Sequence, residues 1–236
     1  ACAAAAMTFA PMSFAQQAPE KKDVTIAVGG KSLYYYLPLS IAEQLGYFKD
    51  EGLNVKIVDF QGGSRSLQAV VGGSADVVSG AFEHTISMQA KKQPMTAFVL
   101  QGRAPQLALV VSNKTMKDYK QLSDLKGKKV GVTAPGSSSQ MVANFILKKG
   151  GLGPKDVAFI GVGSSSGAVS AIRSGQIDAL INLDPVITIL LKNGDAKLVA
   201  DTRKVKESES FFGGTMPAAS TLRFLSLRRI PRQFRL

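Results

Sequence analysis

Two short stretches of this chain place glycine and serine directly ahead of a helical run: Gly62-Gly63-Ser64 and Gly136-Ser137-Ser138. Glycine leaves backbone N–H groups open to approach, serine adds a hydroxyl, and a helix N-terminus carries partial positive charge. Each stretch therefore has the chemistry of an anion-binding loop. Ser64 and Ser137 also read as ordinary N-caps, a role that still presents N–H groups. Other reactive chemistry is sparse. His84 is the single histidine and Cys2 the single cysteine. That excludes a structural zinc site, a disulfide framework and a Cys/His catalytic pair in the body of the chain. No metal, cofactor or catalytic residue is expected. His84 alone reads as a structural histidine before it reads as a ligand contact. Asp76 and Asp178 each follow a turn glycine and read as turn or strand-start residues.

The elements that must position these loops follow from periodicity. Val24–Val28 is a β-branched strand that stops at Gly29-Gly30. Leu37–Phe48 carries Leu37, Ile41, Leu45 and Phe48 at helical spacing, with Pro38 in the first turn. Val55–Phe60 is a strand, Leu67–Val71 a helical patch and Ala75–Val78 a strand. A helix over Thr85–Lys91 follows, then strands at Met95–Leu100 and Leu107–Val111 and a short surface helix over Met116–Leu125. A second series begins at Lys129–Val132 and repeats the pattern through Val157–Val162 and Ala179–Leu183 to Lys197–Ala200. At an offset of 102 residues, Val55–Phe60 falls on Val157–Val162, Ser64 on Ser166, and Gly73 and Asp76 on Gly175 and Asp178. So long a period marks two similar α/β lobes rather than a solenoid. In such sheets ligands bind beyond the strand carboxyl ends, and two lobes joined by a hinge close around a small molecule.

The net charge of +12 invites a nucleic-acid or membrane reading, but its location weakens that. Residues 222–236 hold five arginines and no acid, which leaves +7 for residues 1–221. There the lysines are scattered, with no stripe of interleaved aromatics, so no nucleic-acid partner is expected. No apolar run is long enough to span a bilayer. Residues 1–15 are rich in alanine and end in Ser13-Phe14-Ala15 before Gln16-Gln17, which reads as the remnant of a secretory signal and places the mature protein in the periplasm. Two readings compete: a lipidation cysteine at Cys2, although the apolar run follows rather than precedes it, and a disordered alanine-rich leader.

An ordered set of motifs carries a family resemblance. Leu37-Pro38, Gly46-Tyr47-Phe48, Glu51-Gly52-Leu53 and Val55 are followed by Gly62-Gly63, Gln68-Ala69-Val70 and Ala75-Asp76. Asp124-Leu125-Lys126-Gly127-Lys128-Lys129-Val130-Gly131-Val132, Ser174-Gly175-Gln176-Ile177-Asp178-Ala179 and Asp184-Pro185 complete it. The set covers about Val24 to Ala219. It resembles the nitrate/sulfonate/taurine-type substrate-binding proteins of ABC importers. The resemblance implies a periplasmic-binding-protein-like α/β fold, with a ligand cleft and hinge between two lobes. It also implies a monomer that captures a small-molecule solute and delivers it to an ABC permease at the inner membrane. Carried onto this chain, the ligand-binding candidates in the first lobe are the loop holding Ser32, Tyr34 and Tyr35, then Gly63 and Ser64, and Phe82, Glu83 and His84. In the second lobe they are Ser137, Ser138, Gly163, Ser164 and Asp184. Glu83 and Asp184 depart from what a nitrate or sulfonate site favours, since a buried carboxylate repels an anion. Either they point away, or the solute carries a cationic or hydrogen-bond-donating group. Taurine-like zwitterions, aminated heterocycles such as pyrimidines, and aromatic acids stay open.

The chain divides on this reading into a signal remnant (1–15), the first part of lobe 1 (23–102), a crossover and hinge (103–127), lobe 2 (128–201), a segment returning to lobe 1 (202–219) and an aberrant basic tail (220–236). Lysine outnumbers arginine 20 to 4 before Leu222 and is absent from there on. A frame shift near Ser220, leaving a truncated binding protein, is the preferred account of that change; a basic interaction tail is the other. Two further functions compete. Enzymes of thiamine-pyrimidine or dihydroxynaphthoate synthesis share the fold, but the first wants a cysteine cluster and for the second no catalytic set is found. The effector-binding half of a transcription regulator wants a helix-turn-helix where the leader stands. The chain is expected not to be an enzyme.

Overall fold

The computed structural model describes residues 19–102 and 105–212, and the backbone of 223–227. The leader reading, most of the return segment's second half and most of the tail thus lie outside the described residues.

Two five-stranded sheets carry the fold. In chain order the strands are β1 (Asp23–Val28), β2 (Asn54–Asp59), β3 (Val77–Ala81), β4 (Thr96–Gly102), β5 (Ala108–Ser112), β6 (Lys129–Val132), β7 (Ala158–Gly161), β8 (Ala179–Asn182), β9 (Ala196–Asp201) and β10 (Arg223–Leu227). The helices are α1 (Leu37–Gln44), α2 (Tyr47–Asp50), α3 (Gly63–Val71), α4 (Glu83–Ala90), α5 (Ser138–Lys149), α6 (Ser166–Ser174), α7 (Val186–Lys192) and α8 (Val205–Phe212). The first sheet runs β2-β1-β3-β10-β4 and the second β7-β6-β8-β5-β9. The two orders are the same once the sequence repeat is applied. β2, β1 and β3 correspond to β7, β6 and β8, and in each sheet the fourth place is an antiparallel strand. β5 lies antiparallel to both β8 and β9, and β10 to both β3 and β4. The fold is that of periplasmic binding proteins.

Each sheet is covered on both faces. In lobe 1, Ala27, Leu67, Val70, Val78 and Met88 bury one face under α3 and α4. In lobe 2, Val110, Ile172, Leu180, Ile187 and Leu190 do the same under α6 and α7. The opposite faces belong to one apolar cluster that runs from Val24, Ile26 and Tyr35 of lobe 1 to Val130, Val132, Ile146 and Ile181 of lobe 2. Alternate side chains along β1 (Ile26 and Ala27) point into different clusters, as the period of a strand requires. The repeated aspartates start corresponding strands: Asp76 accepts the Thr25 N–H at 2.9 Å and Asp178 the Lys129 N–H at 2.9 Å.

Two local expectations are corrected. Leu37, Ile41 and Leu45 do not face the core; they are 51%, 44% and 59% exposed, and Leu39 is the buried residue of α1. The Tyr36 hydroxyl accepts the Gly29 N–H at 3.0 Å, which sets Tyr35, Tyr36 and Leu39 against the sheet and turns the other face outward. The helix also breaks at Gly46, whose φ of 80° lies in the left-handed region. Met116–Leu125 is not a helix but turns ending in a 3-10 segment at Leu122–Leu125, because the Asp124 carboxylate takes the Lys120 and Gln121 N–H groups. The strand expected at Leu107–Val111 is present as Ala108–Ser112, fully buried in the second sheet. Residues 205–212 of the return segment are helical, and 223–227 of the tail supply a central strand of the first sheet.

The paired aspartates make a direct test of how the lobes are fixed. Asp178→Ala is expected to lower stability by about 1–3 kcal/mol in urea unfolding, the range for a bond to a charged acceptor. A change near zero would mean that the β6 start is held without it.

Candidate functional site

The carboxyl ends of the parallel strands in both sheets face one another, and most of the candidate residues lie there. In lobe 1 the loop after β1 is fixed by Asp59 at the end of β2, whose Oδ1 accepts the Gly30 and Lys31 N–H groups at 2.7 and 2.8 Å. The loop after β2 passes so close that a Cβ on Gly29 would lie 2.4 Å from the Gly62 carbonyl carbon and 2.5 Å from the Gly63 nitrogen. In lobe 2 the loop after β6 is tied by Ser139, whose hydroxyl bonds the Thr133 N–H and side chain at 3.1 and 2.9 Å. The loop after β7 is held by Asn182, which donates to the Gly163 carbonyl at 3.1 Å.

These loops meet directly. The Ser64 N–H donates to the Ser137 hydroxyl at 3.1 Å, and that hydroxyl donates to Ser64 Oγ at 3.1 Å. Ser64 Oγ in turn donates to the Pro135 carbonyl at 2.8 Å. The buried Ser164 side chain fills the place where Gly30 lacks one: a Cβ there would lie 2.1 Å from Ser164 Oγ. Nearer the middle of the sheets, the Tyr34 N–H donates to the Asp184 carbonyl at 3.1 Å.

The structure thus brings together Gly63, Ser64, Ser137 and Ser164, with Ser138 opening α5 and Gly163 in the adjoining loop. Ser32 is exposed, Tyr34 has its side chain in solvent, and Tyr35 is buried with its ring edge-on to Tyr36 at 4.8 Å. Phe82 is the N-cap of α4, at the carboxyl end of β3.

The two carboxylates that complicate an anion site have different surroundings. Asp184 caps α7 through Thr188 (2.7 and 3.1 Å) and binds Arg203 Nη1 with both oxygens (2.9 and 3.1 Å). Arg203 continues to Asp201 at 2.6 and 3.0 Å. Burial alone pushes the Asp201 carboxyl up, but Arg203's hydrogen bonds and charge hold it below the usual range; the same bonds raise Arg203. The Asp184 charge is compensated within lobe 2. Glu83 is the opposite case. Both of its oxygens are shielded from water without a hydrogen-bond partner, and burial pushes its pKa to about 7. Next to it, His84 is buried, its Nε2 has no hydrogen-bond partner, and burial lowers its pKa to about 4. The His84 ring faces the α3 N-terminus, 3.2 Å from where a Gly63 Cβ would stand. At neutral pH this corner therefore holds a neutral imidazole and a carboxyl near half ionisation.

Asp59, Arg203 and Asn182 were missed from sequence. A carboxylate at the last position of β2, just before a glycine loop, was the available signal for Asp59. Arg203 is one of four arginines before Leu222, but its partners depend on the fold. Among the described residues there is no group of three His, Cys, Asp or Glu placed to hold a metal ion, and no helix long and apolar enough to cross a membrane. A separate groove of about 640 Å³ lies along α5, lined by Met141, Asn144, Phe145, Leu152 and Pro154.

Known proteins place this geometry in context. A family model described as NMT1/THI5 like matches residues 34–202. A 4-amino-5-hydroxymethyl-2-methylpyrimidine phosphate synthase of Schizosaccharomyces pombe is 27% identical over 162 residues, 68% of this chain and 45% of the relative. The putative binding protein YtlA of Bacillus subtilis is 27% identical over 169 residues, 70% of this chain and 50% of the relative. The chain thus spans about half the length of these curated relatives. A solved structure from Bordetella bronchiseptica RB50 is 58% identical with a TM-score of 0.85, covering 92% of this chain and 66% of that one. The alkanesulfonate-binding protein SsuA from Xanthomonas axonopodis pv. citri, bound to MOPS, has a TM-score of 0.67 at 22% identity, covering 91% and 67%. This last likeness is one of fold.

The buried pair predicts opposing pH dependences of stability. Glu83 titrates higher folded than unfolded, so its contribution is present below about pH 4.5 and is lost as pH rises through 7. His84 titrates lower folded than unfolded, so its contribution is present above about pH 6.5 and is lost as pH falls through 4. Across pH 4.5–6.5 the two nearly cancel. Urea unfolding of Glu83→Gln between pH 5 and 8 should show the variant gaining on the wild type as pH rises, by up to about 3 kcal/mol. Parallel profiles would mean that Glu83 is solvated.

Proposed function

This chain belongs to the NMT1/THI5-like family, and from that premise we propose that it is the solute-binding component of an ABC importer. Its solute is a small sulfonate, nitrate or taurine-like compound or a related organic molecule. The protein works in the periplasm. It acts as a monomer that hands its solute to an inner-membrane permease, without nucleic acid, cofactor or chemical turnover. The observation that carries this reading is the facing of two sets of strand-end loops, each rich in glycine, serine and helix N-termini. Such loops offer N–H groups and hydroxyls from both sides to a molecule held between them. The ligand contacts are proposed to come from Ser32, Tyr34, Tyr35, Gly63, Ser64, Phe82, Glu83 and His84 in lobe 1. From lobe 2 they are Ser137, Ser138, Gly163, Ser164 and Asp184.

The local electrostatics weaken the charge objection to an anionic solute. Asp184 is paired with Arg203, and burial keeps much of the Glu83 population neutral near pH 7. A neutral carboxyl donates a hydrogen bond to an anion instead of repelling it. The names of the synthase relatives favour a second reading, pyrimidine synthesis on the same fold. Against it stand the single cysteine and a His84 that faces a helix N-terminus rather than a nucleophile.

A thermal-shift screen of sulfonates, taurine, nitrate, pyrimidines and aromatic acids tests the main reading. A true ligand stabilises in proportion to the logarithm of its concentration over its dissociation constant, so at 100 Kd the gain is about 2.7 kcal/mol. A flat response across the panel would contradict solute capture from these classes. For a sulfonate that binds, affinity should weaken as pH rises above 7, by at most about tenfold per pH unit, because ionised Glu83 opposes it. Glu83→Gln should remove that slope in calorimetry. Affinity that instead strengthens with pH would identify a solute donating N–H groups to the Glu83 carboxylate.

A further inference from the structure

The strand orders fix which side of the cleft opens. The chain passes between the lobes after β4, into β5, and after β9, on its way to β10. In the first sheet β10 and β4 lie together at one end, and in the second β5 and β9 do. The loops after β1, β2, β6 and β7 lie at the other end, farthest from the crossings. These loops touch, and the lobes meet once more towards the crossings, where the Tyr34 N–H donates to the Asp184 carbonyl at 3.1 Å. Ser64 and Ser137 close a complete set of bonds: the Ser64 N–H and the Ser137 hydroxyl serve each other's sites, and the Ser64 hydroxyl finishes on the Pro135 carbonyl. Every donor in the set has an acceptor supplied by protein. Shape agrees with bonding. Gly30 leaves room for Ser164, and Gly62, where a Cβ would lie 2.8 Å from that of Ala134, leaves room for the opposite lobe. The loops after β3 and β8, which hold Glu83 and Asp184, sit inside this seam, towards the crossings.

We propose that the Ser64–Ser137 seam is a latch at the mouth of the cleft, which holds the lobes together through protein contacts alone and gates the entry and release of whatever the cleft takes. A hinge protein whose mouth is held only by its solute rests open and closes on binding. This seam supplies closing contacts of its own, so solute exchange waits on its opening. The proposal stands apart from the import reading, because its test uses no solute.

The test is a single-molecule energy-transfer measurement on the full chain, with Cys2→Ser and dyes at Lys56→Cys in lobe 1 and Lys155→Cys in lobe 2, both exposed positions. Ser164→Leu, too large for the Gly30 notch, reports the open distance. The labelled parent should populate the short distance, and Ser137→Ala, which removes both Ser64 contacts, should lower the closed-to-open ratio about tenfold. Ser170→Ala, an exposed serine on α6, should leave the ratio unchanged. The latch is overturned if Ser137→Ala matches its parent while Ser164→Leu opens, or if the parent already sits at the Ser164→Leu distance.

Discussion

Each lobe is completed by a strand that arrives from the other. β5 follows lobe 1 in sequence yet fills the antiparallel place between β8 and β9. β10 follows lobe 2 and fills the equivalent place between β3 and β4. A central strand must satisfy hydrogen bonds along both edges, and β5 and β10 do so from the opposite lobe's side of the chain. The exchange forces two crossings at one end of the paired sheets. The carboxyl-end loops are left facing each other, and the freest approach is at the opposite end. The cleft and the side on which it opens both follow from where two antiparallel strands are drawn.

Within that frame the polar groups are distributed by need. Lobe 2 neutralises two of its cleft-side carboxylates internally, with Arg203 spanning Asp184 and Asp201. Lobe 1 leaves the Glu83 carboxyl oxygens and His84 Nε2 buried without hydrogen-bond partners, the imidazole beside the α3 N-terminus. A buried polar atom without a partner is costly, and such groups cluster where a molecule from outside completes them. One wall of the cleft is thus electrostatically finished and the other is responsive to protons.

Much of the fold was legible in the sequence because each half repeats the other. The 102-residue offset aligned β2 with β7 and β3 with β8, and it identified Asp76 and Asp178 as strand-start residues that the structure shows bonding Thr25 and Lys129. The glycine–serine loops were visible as chemistry, and Ser64 and Ser137 meet. Less legible was anything depending on pairing between distant segments. Periodicity alone put Leu37, Ile41 and Leu45 inside, but the Tyr36–Gly29 bond turns that face out. Five residues after Leu222 form β10, whose place in the first sheet depends on pairing with the distant β3 and β4. Asp184 looked like a lone carboxylate because its partner lies 19 positions on, in a segment expected only to return to lobe 1.

The central claim is that the facing strand-end loops of the two lobes form one ligand cleft. Amide hydrogen exchange, followed with and without saturating amounts of a solute that stabilises the protein, tests it most directly. The account predicts added protection confined to the loops around Gly30–Tyr36, Gly62–Ser64, Phe82–Thr85, Ala134–Ser138, Gly163–Ser165 and Asp184, on both lobes together. Protection confined to one lobe, or along the α5 groove at Met141–Pro154, would contradict it.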